Sequence, residues 1–485
     1  MITRRNAMKA GVALTGAVGG AGLLLPALGS EAQAQTATDI DPTTIPKFTQ
    51  EMIVPEVTRP DRISGTTSYY SFEMKEVQTE IIPGLQTTVR TFDGHWPGPW
   101  IKACSGHRVV VTQKNDLPTP ASIHLHGGHV PESSDGTPMD LIQPGGNEKT
   151  YTYPNSQPNA NLWFHDHAHH IESENVFRGL TGFYTLMDLP EKELGLPSGA
   201  YDIPIAIRDA RFDADGQLVY QMNDFRGRNV ILANGKAWPY FEVAARKYRF
   251  RLYNTANMKF FTLKFSNGAT VQQIGGDGGL LEAPLTTDTI SLTTGERADV
   301  VVDFSRFPVG TTFELVNTEG VPAGVPPTPV LQFRVTHKAA DYSRVPARLR
   351  TLPALPTPTV SRNVVLRVDE NSADGMGYID EKVYDPDRVD NTIKYGDTEV
   401  WTVSNVNQRV PHNFHIHLVQ FRVLERNGVP VTSGPETGLK DTVRLMPGEK
   451  VKVQATFTGY RGKYVYHCHM FDHASMGMMA TMQVV

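Results

Sequence analysis

The segment Tyr464 to Met478, YVYHCHMFDHASMGM, constrains this 485-residue chain more than any other. In an extended strand successive side chains point to opposite faces, so His467 and His469 share one face while Cys468 projects from the other. One short stretch can therefore serve two different metal sites back to back. A thiolate with two imidazoles and a distant thioether is the donor set of a blue-copper electron-transfer centre, and Cys468, His473 and Met478 supply three of those four donors locally.

The remaining histidines extend the pattern. Ten of the 16 fall in four short motifs: His124 and His126; His165 and His167; His412, His415 and His417; His467, His469 and His473. A lone histidine reads first as structural, but four His-x-His clusters, one with an intervening cysteine, read as metal ligands. His95, His107, His129, His169, His170 and His337 read as ordinary, although His169 and His170 adjoin a ligand pair and could support it by hydrogen bonding. Only two cysteines exist. With Cys468 committed to a metal, no disulfide can form, and Cys104 is expected to be a buried free thiol without a catalytic part.

Glycine and proline are frequent, and short Val, Ile and Thr runs are broken by turn signals, which predicts an all-β protein of roughly three domains at about 150 residues each. The first domain is expected over residues 48–188, where Arg108 to Thr112 and Ser122 to Gly127 read as strands. A polar connector, Glu191 to Gly199, leads to a second domain at 201–337, with strands at Tyr248 to Tyr253 and Ala298 to Phe304. No histidine or cysteine lies between His170 and His337, so this middle region cannot supply such ligands and is expected to hold its neighbours in register. Pro-rich stretches, Val321 to Val330 and Val345 to Pro358, read as an extended surface linker. The third domain, 360–485, repeats the first: Gly396 to Val403 followed by His412 to His417 echoes Gly106 to Thr112 followed by His124 to His126. Lys247 to Asn254 followed by Phe260 to Phe265 is a weaker, histidine-free echo. A threefold repeat of one β-sandwich accounts for all three.

The net charge of −5 is modest for this length, so neither nucleic acid nor an anionic membrane is implied as a partner. Arg4, Arg5, Asn6 and Lys9, then the apolar, Gly-rich run Ala10 to Leu28 and Ala32-Gln33-Ala34, read as a twin-arginine signal over residues 1–34. Several glycines and Pro26 interrupt the apolar run, so no membrane span is expected in the mature form. The expected destination is the periplasm or the cell exterior.

The four motifs, in this order, resemble the multicopper oxidases, three-domain cupredoxin proteins that include laccases and bilirubin oxidases, and most closely their bacterial spore-coat laccase and bilirubin oxidase branch. Carrying the resemblance are His124 to Gly127 with Asp135-Gly136, the run Leu162 to Ala168, and His417 to Phe421. It spans about Thr91 to Val485 and is looser in the middle domain. It implies three consecutive cupredoxin-like Greek-key β-sandwiches and four copper ions. Cys468, His412 and His473 would hold the type 1 copper with Met478 as weak axial ligand, and His124 and His415 the type 2 copper. His126, His165, His167, His417, His467 and His469 would share two type 3 coppers. The implied reaction couples four one-electron oxidations of a small aromatic donor (a phenol, aromatic amine or tetrapyrrole) to reduction of O2 to water, in a protein expected to be monomeric. Electrons would pass from Cys468 to His467 and His469.

The resemblance also gives Asp135 a proton-supplying role, where the residues alone read equally as a Ser-Asp-Gly turn. Two departures stand out. Ala474 occupies a position usually acidic in this branch, with Asp472 on the other side of His473, and Asn413 replaces a proline, which is expected to loosen that loop. Two other readings remain: a cuprous or manganous metal-ion oxidase of the envelope, and a copper-free structural homologue. The absence of a long Met-rich insertion weighs against the first, and the presence of all twelve ligand candidates against the second.

Overall fold

Period-two burial sets the sheets. In Arg108–Asn115 and Thr398–Asn405 buried side chains alternate with partly exposed ones, whereas Ala160–Asp166 and Asp202–Ala210 are buried at every position because both faces are covered. The computed structural model describes residues 38–322, 324–371 and 375–485; the expected signal at 1–34 lies outside the described residues. Among them, no helix is long and apolar enough to cross a membrane.

Among the described residues, six sheets form three consecutive pairs. The first pair joins a five-stranded sheet around Thr67–Glu80 and Arg108–Asn115 to a four-stranded sheet ordered Trp100–Cys104, Thr181–Met187, Ala160–Asp166, Ile123–His126. The second and third pairs each combine a seven-stranded and a five-stranded sheet. Each sandwich encloses its own apolar core: Phe72, Val111, Leu125 and Phe164 in the first, Phe250, Leu263 and Phe333 in the second, Trp401, Phe414 and Tyr466 in the third.

The repeat is visible in strand direction. Thr67–Glu80 runs parallel to Arg108–Asn115, Asp202–Ala210 to Lys247–Asn254, and Val360–Val368 to Thr398–Asn405. Each second strand ends on a buried asparagine, Asn115, Asn254 or Asn405. In every case its Nδ2 donates to two carbonyls and its Oδ1 accepts the amide two residues on. These polar clamps fix the turn that leads into the next strand. In the first and third sandwiches that strand carries histidines, in Ile123–His126 and His412–Ile416; in the second it is Phe261–Phe265.

Some expectations change. Cys104 is half-buried, and Lys192 Nζ lies 3.5 Å from its Sγ. The Pro-rich stretch from Val321 is not linker throughout, because Thr328–Lys338 pairs with Thr312–Asn317 and Tyr240–Ala245 in the middle sandwich. Residues 339–358 carry no regular structure and are pinned at intervals, as where Leu349 N donates to Glu282 O.

Candidate metal centre

The strand Gly462–His467 stops at His467, and Cys468 and His469 follow it as irregular backbone before the helix Phe471–Ser475. The opposed directions survive, because Cys468 N donates to Met478 O at 3.1 Å and keeps the segment extended. Cys468 Sγ faces His412 Nδ1 at 3.7 Å and His473 Nδ1 at 3.5 Å, and these two nitrogens are 3.2 Å apart. His412 Nε2 is held by Asn407 Oδ1 at 2.8 Å, which directs Nδ1 inward. Met478 is fully buried, its backbone N–H donating to His473 O at 3.0 Å.

On the other side, eight imidazoles converge. Cross-strand pairing sets His124 opposite His165 in the first sandwich and His415 opposite His467 in the third. His126 Nδ1 lies 2.9 Å from His469 Nε2, which is 3.4 Å from His165 Nε2. His467 Nε2 is 3.2 Å from His167 Nε2 and 3.3 Å from His417 Nε2. The ligand-capable atoms therefore gather as His126, His165 and His469; as His167, His417 and His467; and as His124, His126 and His415. These three groups, two of which share His126, lie where the first and third sandwiches meet.

The outward ring nitrogens fix the tautomers. Nδ1 of His124, His165, His415 and His467 donates to the carbonyls of Asp135, Asp166, Asp441 and Cys468. Carboxylates stand behind three of the other four: Asp135 Oδ2 is 2.7 Å from His417 Nδ1, Asp441 Oδ1 is 2.9 Å from His126 Nε2, and Glu172 Oε2 is 2.7 Å from His167 Nδ1, whereas His469 Nδ1 has no hydrogen-bond partner among the described residues. Such partners orient metal-binding rings and raise their basicity. Asp135 caps the turn Glu132–Ser134 through its backbone, and its carboxylate reaches the cluster.

The donor set fits a bound metal. His124 Nε2 and His415 Nε2 are buried without a hydrogen-bond partner among the described residues, a cost that a cation removes. Burial first, and neighbouring imidazoles second, hold His124, His415, His417, His467 and His469 well below the usual histidine range, so these rings are neutral and free to coordinate. Burial also lowers His167, but Glu172 outweighs it and the net shift is upward. Burial pushes the Cys468 thiol up to about 12 and Asp135 up to about 8.

A cavity of about 550 Å³ reaches this centre from outside, with His473, Met470, Met476, Met258, Phe260 and Val410 on its wall. Its mostly apolar lining suits an aromatic ring placed against His473.

Several contributors are not evident from sequence. Asn413, expected to loosen its loop, clamps it: Nδ2 donates to Thr293 Oγ1 at 3.0 Å and Thr294 O at 2.8 Å, while Oδ1 accepts the His469 amide at 2.7 Å. Asp472 faces Arg228 at 3.0 Å and accepts from Asn223 N and Ser173 Oγ, away from the imidazoles. Arg297 of the middle sandwich forks onto Asp441 at 2.6 and 2.7 Å. The middle sandwich therefore supplies the wall of the cluster without supplying a ligand.

Sequence models of the multicopper oxidase family match residues 73–191, 217–325 and 353–485. The chain is 34% identical to a laccase of Bacillus subtilis (strain 168), covering 91% of this chain and 99% of that one. It is 35% identical to the bilirubin oxidase of Albifimbria verrucaria, over 90% and 81%. A crystal structure of a laccase from Pediococcus acidilactici superposes with a TM-score of 0.84 at 31% identity, covering 91% of this chain and 95% of that one. A multicopper oxidase from Campylobacter jejuni described as a metallo-oxidase gives 0.81 at 25%, over 93% and 98%. The chain belongs to the multicopper oxidase family. Its three sandwiches are cupredoxin-like, its cofactor is copper, and it is a laccase-like oxidoreductase with O2 as electron acceptor.

Proposed function

We propose that the chain binds four copper ions and couples oxidation of small aromatic donors, phenols, aromatic amines or tetrapyrroles, to reduction of dioxygen to water. Cys468, His412, His473 and Met478 would hold type 1 copper; His124 and His415 type 2; His126, His165 and His469, and His167, His417 and His467, the two type 3 ions. When bound, copper would supply one-electron redox chemistry at the sulfur site and four-electron reduction of dioxygen at the imidazole cluster. Everything else is the work of the chain. The apolar cavity beside His473 receives the donor ring, and the covalent path from Cys468 Sγ through one residue of backbone to His467 and His469 joins the two donor sets, neighbouring Cα atoms being about 3.8 Å apart. Asp135, within reach of His417, is placed to supply protons, and Arg297 and Asp441 hold His126 in orientation.

The observation that carries this reading is the position of Cys468 between His412 and His473 on one side while its two chain neighbours point into the eight-imidazole cluster on the other. We take residues 48–188, 201–337 and 360–485 as the three domains of a monomer delivered to the periplasm or exterior by twin-arginine export. Reconstitution with copper tests the function. The expected result is four coppers per chain, a thiolate charge-transfer band that C468S removes, and oxygen uptake with a phenol exceeding that with cuprous ion. A colourless copper-loaded protein sinks the sulfur assignment, and greater uptake with cuprous ion transfers the chain to metal-ion oxidation.

A further inference from the structure

Glu172 opens the helix Glu172–Arg178 in the first sandwich and is 1% exposed. Its Oε2 lies 2.7 Å from His167 Nδ1, and its Oε1 is 3.4 Å from Ser475 Oγ, two residues beyond His473 in the third sandwich. Buried carboxylates normally face a fixed cation. Asp441 has Arg297 and Asp472 has Arg228, but the one ion-pair partner of Glu172 among the described residues is the His167 ring. A carboxylate so placed turns the His167 ring and presents its far nitrogen to the cluster. That nitrogen, Nε2, faces His467. Ala474, buried between His473 and Ser475, brings no side-chain oxygen to this region, and the carboxylate that reaches it comes from the first sandwich.

We propose that Glu172 is a positioning residue of the copper pair, holding the His167 ring with Nε2 inward and tying it to the segment that carries His473. The proposal rests on the assignment of His167 to that pair. A carboxylate partner makes the ring a stronger donor than a backbone carbonyl does, so the ion on His167, His417 and His467 is held more firmly than a carbonyl behind His167 would hold it.

The test compares copper-loaded wild type, E172Q and E172A by copper content during challenge with a chelator, by the Cys468 charge-transfer band, and by the fraction of copper visible to electron paramagnetic resonance. Wild type lacking a spin-coupled, resonance-silent pair would refute the assignment of His167 itself, independently of Glu172. Given that pair, E172Q, which keeps an acceptor and loses the charge, is expected to retain cluster copper about tenfold less well, and E172A about 100-fold less well, each with more visible copper and an intact Cys468 band. Retention within about twofold of wild type in E172Q overturns the proposal even if E172A does not fold, as does parallel loss of the Cys468 band.

Discussion

Asp135 serves two roles through different atoms, its backbone closing a turn and its carboxylate reaching His417. Burial raises that carboxyl to about 8, so in the copper-free protein it carries its proton at neutral pH. Asp135→Ala should slow dioxygen-dependent turnover by about 10²-fold while the Cys468 band persists; equal turnover would remove the proton role. Asp472, which neighbours His473 in sequence, cannot stand in for it, because its two oxygens are taken by Arg228, Asn223 and Ser173. Proximity along the chain and proximity in space part company at that residue.

At the scale of elements, the turn between Ile290–Leu292 and Arg297–Asp303 is as much a part of the centre as the histidine strands. Gly295 there has φ +86°, and a Cβ would stand 2.9 Å from His469 Nδ1 and 3.0 Å from His126 Cε1. Gly295→Ala should therefore release cluster copper, spare the Cys468 band, and cost about 1–3 kcal/mol from the strained backbone, measurable by denaturant unfolding with and without copper. The histidine strands were legible from sequence because alternation requires only that a segment be extended. The turn was not, because nothing in Thr293-Thr294-Gly295 says which strand lies above it. Asn413 failed for the same reason: its exchange for proline predicts looseness only while Thr293, Thr294 and the His469 amide are absent from view. The threefold repeat was partly legible. The matching strand patterns showed it, and the Asn115, Asn254 and Asn405 clamps, which state it most plainly, lack any hydrophobic signature.

For the molecule as a whole, acid sensitivity follows from the buried rings. Nine of the ten histidines proposed as ligands are lowered in the fold and His167 is raised. Below the ordinary histidine range, about 6.5, the unfolded chain binds protons that these nine rings refuse, so stability falls as pH falls through that value. The raised carboxyls of Asp135 and Asp166 act with the opposite sign, since the fold keeps their protons above the unfolded range, but they are outnumbered. Each fully responding ring contributes about 1.4 kcal/mol per pH unit. The unfolding free energy of copper-free protein should drop steeply between about pH 6.5 and 5 and less so when copper is bound. A flat profile would mean that the rings are already charged in the fold.

The contact between His126 and His469 joins positions 343 residues apart. At the ordinary pace of synthesis, about 5–20 residues per second, the amino-terminal half of the cluster waits on the order of 20 to 70 seconds for its carboxyl-terminal half to leave the ribosome. The eight imidazoles can converge only once His467 and His469 have emerged, so loading of the finished cluster belongs to the time after translation ends.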